Sequence, residues 1–158
     1  MRFRSLTLAL LLMAVTFASA AAPASAVAAP HWPLLETYKG KVVLVDFWAS
    51  WCSPCLQSFP WMNELQKHHS KDGFVVLAVN MDQDRALADA FLKKTPVDFR
   101  IEYDAAGTMA TQFGVQAMPT SFLIDRSGRV RIRHDGFREK QRAEREVEIQ
   151  QLLKEPAP

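Results

Sequence analysis

From Lys41 to Trp48 the apolar residues Val42, Val43, Leu44, Val45 and Phe47 follow one another almost without a break, the pattern of a short strand covered on both faces. Phe74 to Met81 repeats it. Between them, from Ser53 to about His69, Leu56, Phe59, Met62 and Leu65 recur at helical spacing. Pro54 is tolerated in the first turn of that helix, where a missing N–H costs nothing, and Pro60 is expected to kink it. A second helix is predicted from about Gln83 to Lys94 with Leu87, Phe91 and Leu92 turned inward, stopped at Thr95-Pro96. Phe99 to Tyr103 then reads as a short strand and Ala105 to Phe113 as a short helix ended by Gly114. Thr120 to Ile124 and Arg129 to Arg133 read as strands joined by the tight turn Asp125-Arg126-Ser127-Gly128, with Gly available for positive φ. Arg138 to Lys154 is a charged last helix that presents Val147, Ile149, Leu152 and Leu153.

Buried strands alternating with helices, closed by an antiparallel hairpin and a final helix, imply a three-layer α/β domain around a mixed central sheet. That domain is expected over residues 34–155. Ahead of it, Arg2 and Arg4 precede an apolar run from Leu6 to Phe17 and the small residues Ala18-Ser19-Ala20. These are the parts of a secretory signal peptide over residues 1–22, cleaved after Ala20 or Ala22. An uncleaved membrane anchor is the alternative, because Leu6 to Ala29 is just long enough to cross a bilayer. Residues 23–33, rich in Ala and Pro without periodicity, read as a tether.

The chain has 19 Lys and Arg against 17 Asp and Glu, and the two leader arginines account for the surplus, so the exported part is near neutral. Its one basic cluster, Arg126, Arg129, Arg131, Arg133 and His134, is interrupted by Asp125, Asp135 and Glu139. A solvated edge strand is the better reading, and nucleic acid is not expected as a partner.

The two cysteines, Cys52 and Cys55, stand three apart between a buried strand and a helix start. A disulfide closing so short a loop constrains little chain entropy, so the value of the pair lies in reactivity. Cys52 at a helix N-terminus has its thiolate stabilised by unpaired backbone N–H groups. Cys55, one turn further in, can attack a mixed disulfide formed by Cys52. Half of a zinc site is the competing reading, but His31, His68, His69 and His134 show no paired ligand spacing, and no metal is expected.

The segment Val45-Asp46-Phe47-Trp48-Ala49-Ser50-Trp51-Cys52-Ser53-Pro54-Cys55 resembles the active-site segment of the thioredoxin superfamily, and Gly114-Val115-Gln116-Ala117-Met118-Pro119-Thr120 resembles its cis-proline loop. The resemblance implies a thioredoxin-like fold in which Pro119 is cis and lies against the cysteines. It implies that Asp46 is the buried acid that takes the Cys55 proton during resolution. Thioredoxin pairs that acid with a lysine on the next strand, where this chain has Ala78. Met118 and Thr120, flanking the proline, are implied as substrate-binding positions, and Trp51 as a shield over the pair; Trp48 could equally be plain core.

Export, the helix and strand between Gln83 and Tyr103, and the segment Met118 to Gly128 resemble the TlpA-like branch, which includes periplasmic or membrane-tethered reductases that serve cytochrome c maturation and other envelope cysteines. The β-hairpin that usually opens that branch is shortened or missing, since only about ten residues separate the tether from Gly40 and Lys41. The resemblance implies an exported, periplasmic thiol:disulfide reductase acting on disulfide-containing client proteins. A disulfide oxidase or isomerase is an alternative. A Cu(I) metallochaperone using Cys52, Cys55 and Met118 is another. With no second cysteine pair and no nucleotide fingerprint, no cofactor is expected, and electrons must come from another protein, such as a membrane thiol transporter. A monomer is expected, in contact with the membrane only if the leader is uncleaved.

Overall fold

The computed structural model describes residues 27–158. The expected signal peptide and the first part of the tether lie outside the described residues. Two residues inside the expected tether, Val27–Ala28 (β1), pair antiparallel with a later strand, and Trp32 is buried. The folded part therefore begins ahead of Leu34, and it does so through backbone pairing that an Ala-rich stretch does not announce.

After a short helix, Pro33–Glu36 (α1), the chain forms the strand Val42–Trp48 (β2), the helix Ser53–His69 (α2) and the strand Phe74–Asn80 (β3). Next come the helix Arg85–Lys94 (α3), the strand Arg100–Tyr103 (β4) and the helix Thr108–Gln112 (α4). The strands Thr120–Ile124 (β5) and Arg129–Asp135 (β6) precede a single 3-10 turn and the helix Arg142–Lys154 (α5). The six strands form one sheet in the order β1-β6-β5-β2-β3-β4. β2 runs parallel to β3 and antiparallel to β5, so the sheet is mixed as expected. The basic strand β6 is not the edge, because β1 covers part of it.

Every residue of β2 is buried, as the unbroken apolar run predicts. One face of the sheet packs Val43, Val45, Phe47, Leu77, Phe122 and Ile124 against Trp32, Phe113, α1 and α4. The other packs Val42, Leu44, Trp48, Val76 and Ala78 against α2, α3 and α5. The turn after β5 is held by Asp125, whose carboxylate accepts from the backbone N–H of Ser127 and of Arg129, and Gly128 takes the positive φ that the turn requires. α3 starts on Asp84, which caps the Ala86 N–H.

Two expectations about buried faces fail. Leu87 is 52% exposed; the inward side of α3 is Ala88 with Phe91 and Leu92, and Leu87, four residues before Phe91, lies at the solvent edge of that stripe. Val147 is likewise exposed, and the buried stripe of α5 is Arg145, Ile149 and Leu152. The helix thus turns a charged residue toward the core.

Candidate active site

The end of β2 and the start of α2 bring the cysteines together. Cys52 occupies the N-cap position of α2 in an extended conformation, with Pro54 in the first turn. Its backbone N–H donates to Ala49 O at 3.1 Å and its carbonyl accepts from Leu56 at 3.1 Å, which fixes it at the helix end where thiolate is favoured. Cys52 and Cys55 are joined as a disulfide. Both are buried, Cys55 completely, while Ser53 and Pro54 between them face solvent. Trp51 beside them is 69% exposed, the most exposed large apolar side chain among the described residues.

The approach to Cys52 is held from below. The Ser50 N–H and hydroxyl donate to the two oxygens of the Asp82 carboxylate at 2.9 and 3.0 Å, and Asn80 Nδ2 donates to Asp82 at 2.8 Å. Asn80 and Asp82 are buried, so this polar knot ties the loop carrying Trp51 and Cys52 to the end of β3. No motif in the sequence points to it; an Asn and an Asp ending an apolar strand are the only signal.

Asp46 lies on the α2-facing side of β2, the side whose apolar cluster contains both cysteines. It is 4% exposed and its Oδ2 has no hydrogen-bond partner among the described residues. Burial pushes its carboxyl up to about 8, with the charge of Arg145 pulling the other way. Its β3 neighbour is Ala78 in the parallel register, which leaves the adjacent strand without a countercharge. Arg145 from α5, whose charge acts on Asp46, is a residue of this site that the sequence reading missed.

Met118-Pro119 is a cis peptide. Pro119 is buried and its carbonyl accepts from Gly136 at 2.7 Å; Met118 is half-buried against the cluster that holds the cysteines. Thr120 follows Pro119 as the first residue of β5. It is completely buried between β2 and β6, and its hydroxyl lies within hydrogen-bonding reach of Ala117 O and Asp135 Oδ1, at 2.7 and 3.0 Å. Its side chain braces the loop, which leaves the expected contribution of its backbone to client binding a separate matter. Among the described residues, no group of three or more His, Cys, Asp or Glu is placed to hold a metal ion.

A mixed sheet between helices, a disulfide at the start of the helix that follows its central strand, and a cis-proline loop define a thioredoxin-fold protein with a Cys-x-x-Cys site. The chain belongs to the Redoxin family, which it matches over residues 31–150. It is 36% identical over 96 residues to the thiol-disulfide oxidoreductase ResA of Bacillus thuringiensis, covering 61% of this chain and 56% of that protein. ResA of Geobacillus kaustophilus is 35% identical over 118 residues, 75% of this chain and 68% of that protein. Among solved structures, a candidate thiol:disulfide interchange protein DsbE from Chlorobium tepidum is 43% identical, with a TM-score of 0.74 over 83% of this chain and 95% of that one.

Proposed function

We propose that the chain is an exported, periplasmic thiol:disulfide oxidoreductase that reduces disulfides in envelope proteins, including those of cytochrome c maturation. The observation that carries the exchange chemistry is the combination of Cys52 at the N-terminus of α2, fully buried Cys55 one turn on, and the buried carboxyl of Asp46 on the facing strand. The leader-like N-terminus carries the location, and the Ser-Pro dipeptide between the cysteines carries the direction.

In the reduced protein, the Cys52 thiolate attacks one sulfur of a client disulfide. A Cys52–client S–S bond forms, and the other client sulfur leaves as a thiolate. Cys55 then gives its proton to the Asp46 carboxylate, and the resulting thiolate attacks Cys52. The intramolecular S–S bond forms, the mixed disulfide breaks, and the client sulfur leaves with the electron pair. Two electrons have passed from the dithiol to the client. A membrane thiol-donor protein restores the dithiol, because an oxidising compartment does not. Exposed Trp51 and half-buried Met118 form the client-facing rim beside Pro119.

The test is the reduction potential of the Cys52/Cys55 couple, measured against a glutathione or dithiothreitol buffer. A potential near the thioredoxin figure of roughly −270 mV is expected; one near roughly −120 mV would make the protein an oxidant. Tight stoichiometric Cu(I) binding without disulfide exchange would replace both readings with a metallochaperone.

A further inference from the structure

α5 packs against β2 and carries Arg145 into the space beneath the sheet. The side chain is 5% exposed. Its Nη2 donates to Gly136 O at 2.8 Å and its guanidinium stands over Phe137, 5.6 Å from the ring centre, but Nε has no partner among the described residues. A buried guanidinium is expensive unless an opposite charge shares the site.

The strand registers show which polar groups share that face of the sheet. Asp46 on β2 pairs with Ser121 on β5, and Ser121 pairs with His134 on β6. Paired residues share a face of a sheet, so Asp46, Ser121 and His134 form one row on the side covered by α2 and α5. The row continues across β3 only as Ala78. Asp46 Oδ2 on β2 and Arg145 Nε on α5 are thus buried, unpartnered polar atoms on elements that pack together, as is Glu148 Oε2 on α5.

We propose that Arg145 is a positioning residue for the resolution step: from the last helix it supplies the countercharge that keeps Asp46 able to take the Cys55 proton. The inference rests on the reading of Asp46 as proton acceptor. Around Asp46, α2 contributes Cys52 and Cys55, β3 the uncharged Ala78, β5 Ser121, β6 His134, and α5 Arg145 and Glu148. Burial weakens the hold of Arg145 on its proton, and the charges of Asp46, then Glu148 and Glu144, oppose that. His134 Nε2 lies 2.9 Å from Glu148 Oε2, yet burial, and then the charge of Arg145, hold His134 down at about 4, so it is neutral at working pH and this contact is not an ion pair. Arg145 is therefore the charge that reaches Asp46, opposing the burial of the carboxyl.

The experiment uses the full-length reduced protein and a small aromatic disulfide, 5,5′-dithiobis(2-nitrobenzoate), as the probe. Cys52 attacks it and releases the first nitrothiobenzoate; Cys55 then resolves the mixed disulfide and releases the second, whose rate is followed by stopped flow against pH. The wild-type rate of the second release rises through a limb near the Asp46 value of about 8. Arg145→Gln keeps a donor for Gly136 O but drops the charge, and it is expected to move the limb up by about 1 pH unit, because a nearby cation favours the carboxylate. Arg145→Met, an apolar stem of similar length, gives the same shift, and Arg145→Lys restores the limb toward the wild-type position. Asp46→Asn abolishes it. An unmoved limb in both charge-free variants while Asp46→Asn abolishes it overturns the role of Arg145 and leaves that of Asp46 standing. An unchanged profile in Asp46→Asn overturns both.

Discussion

On one face of the sheet Phe47, Phe113 and Phe122 meet ring to ring, with centroids 5.0 to 6.1 Å apart, under a cover of Trp32, α1 and α4. On the other face, one residue along the same strands, Asp46, Ser121 and His134 sit in a row opposite a buried arginine. The first face contributes dispersion and the removal of apolar area from water, and nothing there titrates within the cluster. The second gives up part of that gain to keep ionisable groups dry beside the cysteines, where a low dielectric makes each charge count for more. Because strand side chains alternate between faces, neighbouring residues 46 and 47 can serve the proposed chemical role and a packing role without interfering.

Breaking the packing face should give the largest change. Phe47→Ala removes a completely buried ring that contacts Phe113 and Phe122, and about 4 kcal/mol of stability is expected to go with it. Chemical denaturation of the oxidised protein measures this. The reduction potential of the surviving folded fraction should stay at the wild-type value; a large change in potential would show that the two faces are not separable.

Asp46→Asn should act in the opposite direction. A carboxyl whose folded value is raised binds its proton in the native state when the unfolded chain has lost it, so its contribution to stability falls as pH rises from about 4 to about 8. At pH 7, roughly three units above the ordinary carboxyl value, the part of the shift expressed corresponds to a penalty of about 4 kcal/mol. Replacement by Asn is expected to recover about 3 kcal/mol, the amide having to stay buried without an assured partner. The gain should shrink toward zero near pH 4. Denaturation curves at pH 4, 5.5 and 7 check it, and a variant less stable than wild type at pH 7 would contradict the strained-acid reading.

The difference between the faces also explains what the sequence discloses. β2, β3 and β5 are legible because a strand buried on both sides must be apolar at every position, and the paired cysteines at a helix start are legible because their spacing means little otherwise. Asp46 is conspicuous by the same rule, as the one charge in such a run. Arg145 is not, because α5 is charged on all sides and its burial is decided by the sheet it lands on. The available signal is positional: Arg145 is four residues before Ile149 and seven before Leu152, on one helical stripe. The burial of the Thr120 side chain is hidden for a related reason, since its closeness to Pro119 says nothing about which side of the loop it turns to. β1 depends on backbone hydrogen bonding, to which alanine side chains contribute no pattern.

The smallest effect expected at neutral pH belongs to His134, at the far end of the polar row. Burial, then the charge of Arg145, hold it down at about 4 in the folded state, against an ordinary value near 6.5, so between those limits the unfolded chain binds a proton that the native state refuses. Its contribution to stability is complete above about pH 6.5 and is lost as pH falls toward 4. In that same window Asp46 contributes a slope of the opposite sign, and the two offset each other. The wild-type protein should therefore melt at nearly constant temperature, as far as these two groups decide it, from pH 4 to 6.5, and then lose stability to pH 8. His134→Gln removes the rising component, so the variant should lose stability steadily from pH 4 upward. Thermal melts across that range measure it. A variant that keeps the flat region would mean that His134 is not desolvated, and that the polar row ends at Ser121.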